Sequence, residues 1–151
     1  MLENILTGQF FAYLGAAVAF LVAGLGSSKG VGLAGQTGAG VLSEDPSKFG
    51  SVMLLEALPS TQAIYGFVIA FLIIGNVNES MTLQQGLSLF IAGLPVGIVG
   101  LVSAIFQGKV AAAGIQMISK RPEGLGSAIT LALMIEMFAI LSLILSILMI
   151  R

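Results

Sequence analysis

Residues 124–150 read GLGSAITLALMIEMFAILSLILSILMI, an apolar run whose single charge is Glu136. A helix needs roughly 20 apolar residues to cross a bilayer core, and this run supplies them. Working outward, residues 4–28, 57–78 and 80–108 carry no charge at all, and each is long enough, or nearly so, for another span. Hydrophobic residues make up 57% of the 151-residue chain and charged residues 9%, and the mean hydropathy is +1.07. A soluble domain of this size cannot cover its surface with so few charges. A membrane barrel would instead show short alternating segments. The expectation is an all-α membrane protein of four transmembrane helices.

The chain is written twice. Comparing it with itself at the separation of two loop prolines (122 − 46 = 76) pairs polar and turn residues without a gap. Gly24 meets Gly100, Ser27 meets Ser103, Gly32 meets Gly108 and Gly38 meets Gly114. Ser43 meets Ser119, Pro46 meets Pro122 and Gly50-Ser51 meets Gly126-Ser127. Apolar periodicity alone gives scattered matches, whereas matched turn residues in one register point to tandem duplication of a helical hairpin. Residues 1–75 then form the first hairpin, 76–82 an outer connecting loop and 83–151 the second hairpin, within one membrane domain. The expected helices cover about 9–42, 47–74, 83–118 and 123–150, with Pro46 and Pro122 in the first turn of each returning helix, where a missing N–H is no loss. The first and third exceed a bilayer span.

Lys29, Lys48, Lys109, Lys120 and Arg121 lie in or near the two hairpin turns, and only Arg151 lies on the other side. The positive-inside rule therefore predicts cytoplasmic turns and outward termini in a cell membrane. The first basic residue is Lys29, so the start lacks the positive region of a cleavable signal peptide, and the first apolar run is expected to stay. No basic patch points to nucleic acid. Gly30-Val31-Gly32-Leu33-Ala34-Gly35 fits the dinucleotide-binding glycine pattern, but that pattern needs a preceding strand, and here it lies inside a helical run.

Both odd-numbered helices are rich in small residues. The first carries Gly24, Gly26, Gly30, Gly32, Gly35, Gly38 and Gly40; the third carries Gly93, Gly97, Gly100, Gly108, Ala111-Ala112-Ala113 and Gly114. Inside a membrane, helices approach closely only where small side chains let them. The bland reading is pairing within one bundle; the sharper one places helices one and three on the narrow inside of a ring.

Glu136 demands an explanation, because an intramembrane carboxylate costs several kcal/mol unless neutralised and commonly marks an ion or proton path. The bland alternative is a protonated acid bonding two helices. The second helix offers company: Leu58, Thr61, Gln62 and Tyr65 follow helical spacing on one face. Pro59 distorts that turn and can aim a carbonyl such as that of Leu58 off the axis. Gln107 lies within the third apolar run. A hydroxyl, amide oxygens, a carbonyl and one carboxylate form an all-oxygen set suited to a hard cation, and the single negative charge suits a monovalent one.

With these residues in hand, the sequence resembles the rotor-ring proteolipid (the c or K subunit) of V-type ATPases, in particular the bacterial sodium-pumping kind. Its most specific stretches are residues 58–68 (LPSTQAIYGFV), residues 107–114 (QGKVAAAG) and Glu136. The resemblance implies a ring of identical subunits and a Na+ carried on Glu136. It implies further ligands from Leu58, Thr61, Gln62 and Gln107, with Tyr65 holding the glutamate shut. It also implies a stator subunit with an essential arginine, a central-stalk subunit at the hairpin turns, membrane lipid around the ring, and ATP hydrolysis on other subunits. Glu136 aligns with Ser60, so one site serves four helices. Glu56 departs from the pattern: it aligns with Ala132, one turn from the Glu136 level, and reads either as a protonated interhelical donor or as an auxiliary charge tuning the ion site. The same rotor coupled to H+ is the alternative within the mechanism. A small four-helix cation or drug exchanger is the rival from another class, disfavoured by 7% aromatics and no Trp. Weaker still is a purely structural pore-forming proteolipid. A closed ring of many copies distinguishes the rotor from a dimeric exchanger.

Overall fold

Turns and caps set where each helix begins. In the computed structural model, which describes residues 6–150, four helices are long and apolar enough to cross a membrane. They are α1 (Gly8–Glu44), α2 (Pro46–Gly75), α3 (Leu83–Lys120) and α4 (Pro122–Met149). The Thr7 side chain accepts from the amide of Phe10 at 3.2 Å and so caps α1. Thr82 and Gln85 form a reciprocal capping box at the start of α3. Pro46 and Pro122 each open a returning helix with a single 3₁₀ turn, Pro46–Lys48 and Pro122–Gly124. The ends fall within two residues or so of those expected from sequence. With 37 and 38 residues, α1 and α3 outrun α2 and α4, at 30 and 28.

The two long helices run parallel and pack along their length, because glycine removes the side chain at each contact. A Cβ on Gly15 would stand 2.6 Å from Phe90 Cα, and one on Gly26 would stand 2.5 Å from Leu101 Cα. One on Gly108 would strike the backbone of Gly30. The contacting partners differ by about the length of the internal repeat, so the duplication itself sets the register of α1 on α3. α2 lies against both, and α4 packs mainly on α3.

Two apolar cores result. One, around Ala12, Ala16, Ile69, Ile73 and Val96, lies toward the connecting loop. The other, around Ala34, Val52, Leu55, Ala111 and Ile115, lies toward the hairpin turns. The outer faces stay apolar: Phe71 is 68% exposed, Phe138 65% and Leu141 62%, a surface suited to lipid or to other helices and unsuited to water. This is a multi-pass membrane protein built of tandem hairpins.

Two prolines disturb the helices, and serines absorb the disturbance. Pro59 sits in a 3₁₀ turn, Leu58–Ser60, and just beyond it the amide of Ala63 donates to Ser27 Oγ of α1 at 2.9 Å. Pro95 lies inside α3, and the next amide, Val96, donates to Ser146 Oγ of α4 at 3.2 Å. A buried amide without a partner is costly, and in each case a neighbouring helix supplies the acceptor.

At the turn end, Lys48 ties the hairpins together. Its Nζ donates to the carbonyl of Ser119 at 2.6 Å, near the C-terminus of α3, where a cation meets unpaired carbonyls. It also lies 3.4 Å from Asp45. The hydroxyl and amide of Ser47 both donate to Asp45, and chiefly through the hydroxyl hold its carboxyl below the usual range.

Candidate functional site: a carboxylate held between three helices

Between the two apolar cores lies a layer of polar side chains from α2, α3 and α4. Gln62 and Gln107 are 0% exposed and Glu136 is 5% exposed. Tyr65 donates its hydroxyl to Glu136 Oε1 at 2.6 Å. Gln107 Nε2 donates to Glu136 Oε2 at 2.9 Å and to the carbonyl of Ala132 at 3.2 Å. Gln62 Nε2 donates to Gln107 Oε1 at 2.7 Å. Among the described residues, no fully buried side-chain nitrogen or oxygen lacks a partner.

The direction of this chain of bonds follows from Glu136. Both of its oxygens accept, Oε1 from Tyr65 and Oε2 from Gln107, so the amide group facing it presents its nitrogen. Gln107 therefore turns its oxygen toward Gln62, and Gln62 in turn presents its nitrogen to Gln107. That leaves Gln62 Oε1 on the far side, where Thr61 Oγ1 approaches it at 3.3 Å. Thr61 Oγ1 also donates to the carbonyl of Leu58 at 3.1 Å. One carboxylate thus orients two amides and leaves three neutral oxygens, from Leu58, Thr61 and Gln62, grouped at the end of the series.

The distorted turn at Pro59 makes part of this possible. The Leu58 carbonyl accepts from both the backbone amide and the hydroxyl of Thr61, so it points along the turn toward the Thr61 side chain. The same turn brings Thr61, Gln62 and Tyr65 onto the face that meets α3 and α4. Glycine again opens the space: a Cβ on Gly100 would stand 3.6 Å from Gln62 Cβ and 3.0 Å from Ala23 Cβ.

The structure brings together Leu58, Thr61, Gln62, Tyr65, Gln107 and Glu136. Glu56 is placed elsewhere. It is half-buried on the turn side, with Oε1 2.6 Å from where a Cβ on Gly35 would stand, and lines a groove with Val31, Leu42 and Ser60. It makes no hydrogen bond or ion pair to the described residues. Three contributors do not follow from the reading of motifs: the carbonyl of Ala132, and the Ser27 and Ser146 hydroxyls that steady the proline turns. Ser27 carried a signal, because it pairs with Ser103 in the repeat and both are buried.

The protein-family model for the C subunit of ATP synthase matches the chain twice, over residues 14–73 and 90–149. The two matches start 76 residues apart and end 76 residues apart (90 − 14 and 149 − 73), the offset of the internal repeat. The chain belongs to the ATP synthase C-subunit family. It is similar to the V-type sodium ATPase subunit K of Enterococcus hirae, 45% identical over 99% of this chain and 98% of that protein. It is also 41% identical to the A-type ATP synthase subunit K of Methanocaldococcus jannaschii, over 89% of this chain and 59% of that protein. A third relative is the human 16 kDa proteolipid of the V-type proton ATPase, 28% identical over 90% of this chain and 88% of that protein. The family thus contains relatives named for sodium and for protons.

Proposed function

We propose that copies of this chain form the membrane rotor ring of a V-type ATPase and that Glu136 carries Na+ across the membrane as the ring turns. The observation that carries this reading is the setting of Glu136: a buried carboxylate clasped by Tyr65 and Gln107, at one end of a hydrogen-bonded series whose other end groups the oxygens of Leu58, Thr61 and Gln62. A proton carrier needs only the carboxylate. A group of neutral oxygens in the same polar layer serves a cation that must exchange its water shell for protein ligands. The name of the 45% identical relative supports the same ion.

The mechanism follows from electrostatics. An ionised buried glutamate cannot cheaply face lipid, whereas one paired with Na+ can, so the loaded site travels and the empty one does not. Na+ enters through one half-channel of a stator subunit, neutralises Glu136 and is carried around. A stator arginine then competes for the carboxylate and releases the ion toward the second half-channel. Tyr65 and Gln107 must let go of Glu136 for that exchange, which makes them the latch. ATP is hydrolysed on a separate cytoplasmic head. The hairpin turns face the cytoplasm and a central-stalk subunit, and both termini face outward, in keeping with the basic residues near the turns.

The test is labelling of membranes with a hydrophobic carbodiimide, which attacks protonated buried carboxyls. Modification of Glu136 that Na+ suppresses is the expected result. Labelling of Glu136 indifferent to Na+ would assign the rotor to protons, and labelling at Glu56 alone would overturn the site.

A further inference from the structure

Glu56 and Lys109 are charged residues that the ion site does not use, and each is the sole charge in an apolar groove. Glu56 lies in a groove on the open side of the first hairpin, with Val31, Leu42 and Ser60. Lys109 lies in a groove on the opposite, open side of the second hairpin, with Val110, Ala128 and Leu131. Among the described residues the one ion pair is Lys48–Asp45, so neither charge has an opposite partner among them. The Nζ of Lys109 lies over the ring of Phe106, 4.9 Å from its centroid.

The internal repeat tells what covers these grooves. Shifted by one repeat, Val110, Ala128 and Leu131 become Ala34, Val52 and Leu55, which are at most 1% exposed in the core that seals the first hairpin onto the second. Shifted the other way, Val31, Leu42, Glu56 and Ser60 become Gln107, Ile118, Ala132 and Glu136, all buried at the same seam. Each open groove is therefore the repeat counterpart of a surface that is already closed inside the chain. The glycines give an independent sign. Gly100 and Gly108 pack against α1, yet their counterparts Gly24 and Gly32 have nothing within 4 Å of where a Cβ would stand. The free face of α1 is cut for a helix that one chain does not supply.

We infer that the Lys109 groove of one copy closes on the Glu56 groove of the next, and that Lys109 and Glu56 form an ion pair across that seam. This rests on the ring proposed above and specifies how its copies join. Within the chain, Ala34 shares one core with Ala111. By the repeat, Val110 then shares the intermolecular core with Gly35 of the neighbour. The Glu56 carboxylate lies on that glycine, and Lys109 precedes Val110 on a flexible four-carbon stem. Closing two apolar grooves over unmatched charges would be costly, whereas matched ones fix the register of the joint. At this seam the ion ligands are gone: the counterparts of Gln62, Tyr65, Gln107 and Glu136 are Phe138, Leu141, Val31 and Ser60. Ion-bearing seams inside chains therefore alternate with dry, ion-paired seams between them.

The chain has no cysteine, which makes the test direct. In membranes carrying the double variant Glu56→Cys/Lys109→Cys, a short bis-maleimide that spans the reach of the lost lysine stem is expected to give a ladder of cross-linked multimers, and neither single variant should give one. An assembled ring that yields no ladder overturns the pairing. A parent protein that extracts as a dimer instead sinks the ring reading itself, and native mass measurement separates the two failures. Charge exchange covers the case in which the cysteine variant does not assemble. Glu56→Lys or Lys109→Glu alone should lower ring yield roughly tenfold, and the two together should restore it. Singles that assemble as well as the parent, or a double no better than either single, count against the pair.

Discussion

The two hairpins are built to one plan and differ where the chemistry lies. In the second, Glu136 occupies the place that Ser60 holds in the first, and α3 offers Gln107 where α1 offers Val31. In the first, α2 offers Gln62 and Tyr65 where α4 offers Phe138 and Leu141. Neither copy holds a complete site. The hairpins have divided the work, with the carboxylate and one amide from the second and the other amide, the hydroxyls and the carbonyl from the first. Under the proposed function, the duplicated fold carries one ion site for its two hairpins while keeping the repeat's register of α1 on α3.

That comparison is broken most severely by moving the carboxylate. Glu136→Gln should abolish carbodiimide labelling and ion transport. Adding Ser60→Glu to that variant should restore neither, because Phe138 and Val31 stand where the glutamines would be needed; Na+ uptake into reconstituted vesicles reads this out. Recovered transport would mean that the ligands around the carboxylate matter little. A smaller effect separates two equivalent glycines. Gly108→Ala forces a methyl group against the backbone of Gly30 and should cost about 1–3 kcal/mol in thermal unfolding of the detergent-dispersed monomer. Gly32→Ala, facing open space, should leave that monomer near its parent. Equal losses would show that packing does not distinguish the repeats. The smallest change is Tyr65→Phe, which removes one hydrogen bond to a carboxylate. It should weaken Na+ protection of Glu136 against carbodiimide roughly tenfold, which corresponds to about 1.4 kcal/mol, near the low end for a bond to a charged group.

The spans, the repeat and the hairpins are legible in the sequence because bilayer thickness and turn chemistry leave direct traces in it: uncharged runs between clusters of charge, and prolines spaced one repeat apart. The members of the candidate site are legible for a related reason, since a polar group such as Glu136 or Gln107 stands out against an apolar run. Their order is not. Which amide nitrogen faces which oxygen depends on the position of one carboxylate in three dimensions, and no spacing encodes it. The acceptor roles of Ser27 and Ser146 are hidden likewise, because serine is common in helices and only the displaced amide opposite reveals its use. Pro59 reads as a disturbance from the sequence, but its benefit, a turn that lines up Leu58, Thr61 and Gln62, appears only once the helix is built.

Length has a mechanical side as well. At 1.5 Å per residue, α1 and α3 are each roughly 55 Å long, against about 30 Å of hydrocarbon. They are struts that stand beyond the lipid at one end or both. At the turn end, Lys48 clamps the first turn to the Ser119 carbonyl near the end of α3. A sideways push on either turn is therefore shared by both hairpins, so the pair answers a load as one stiff tooth.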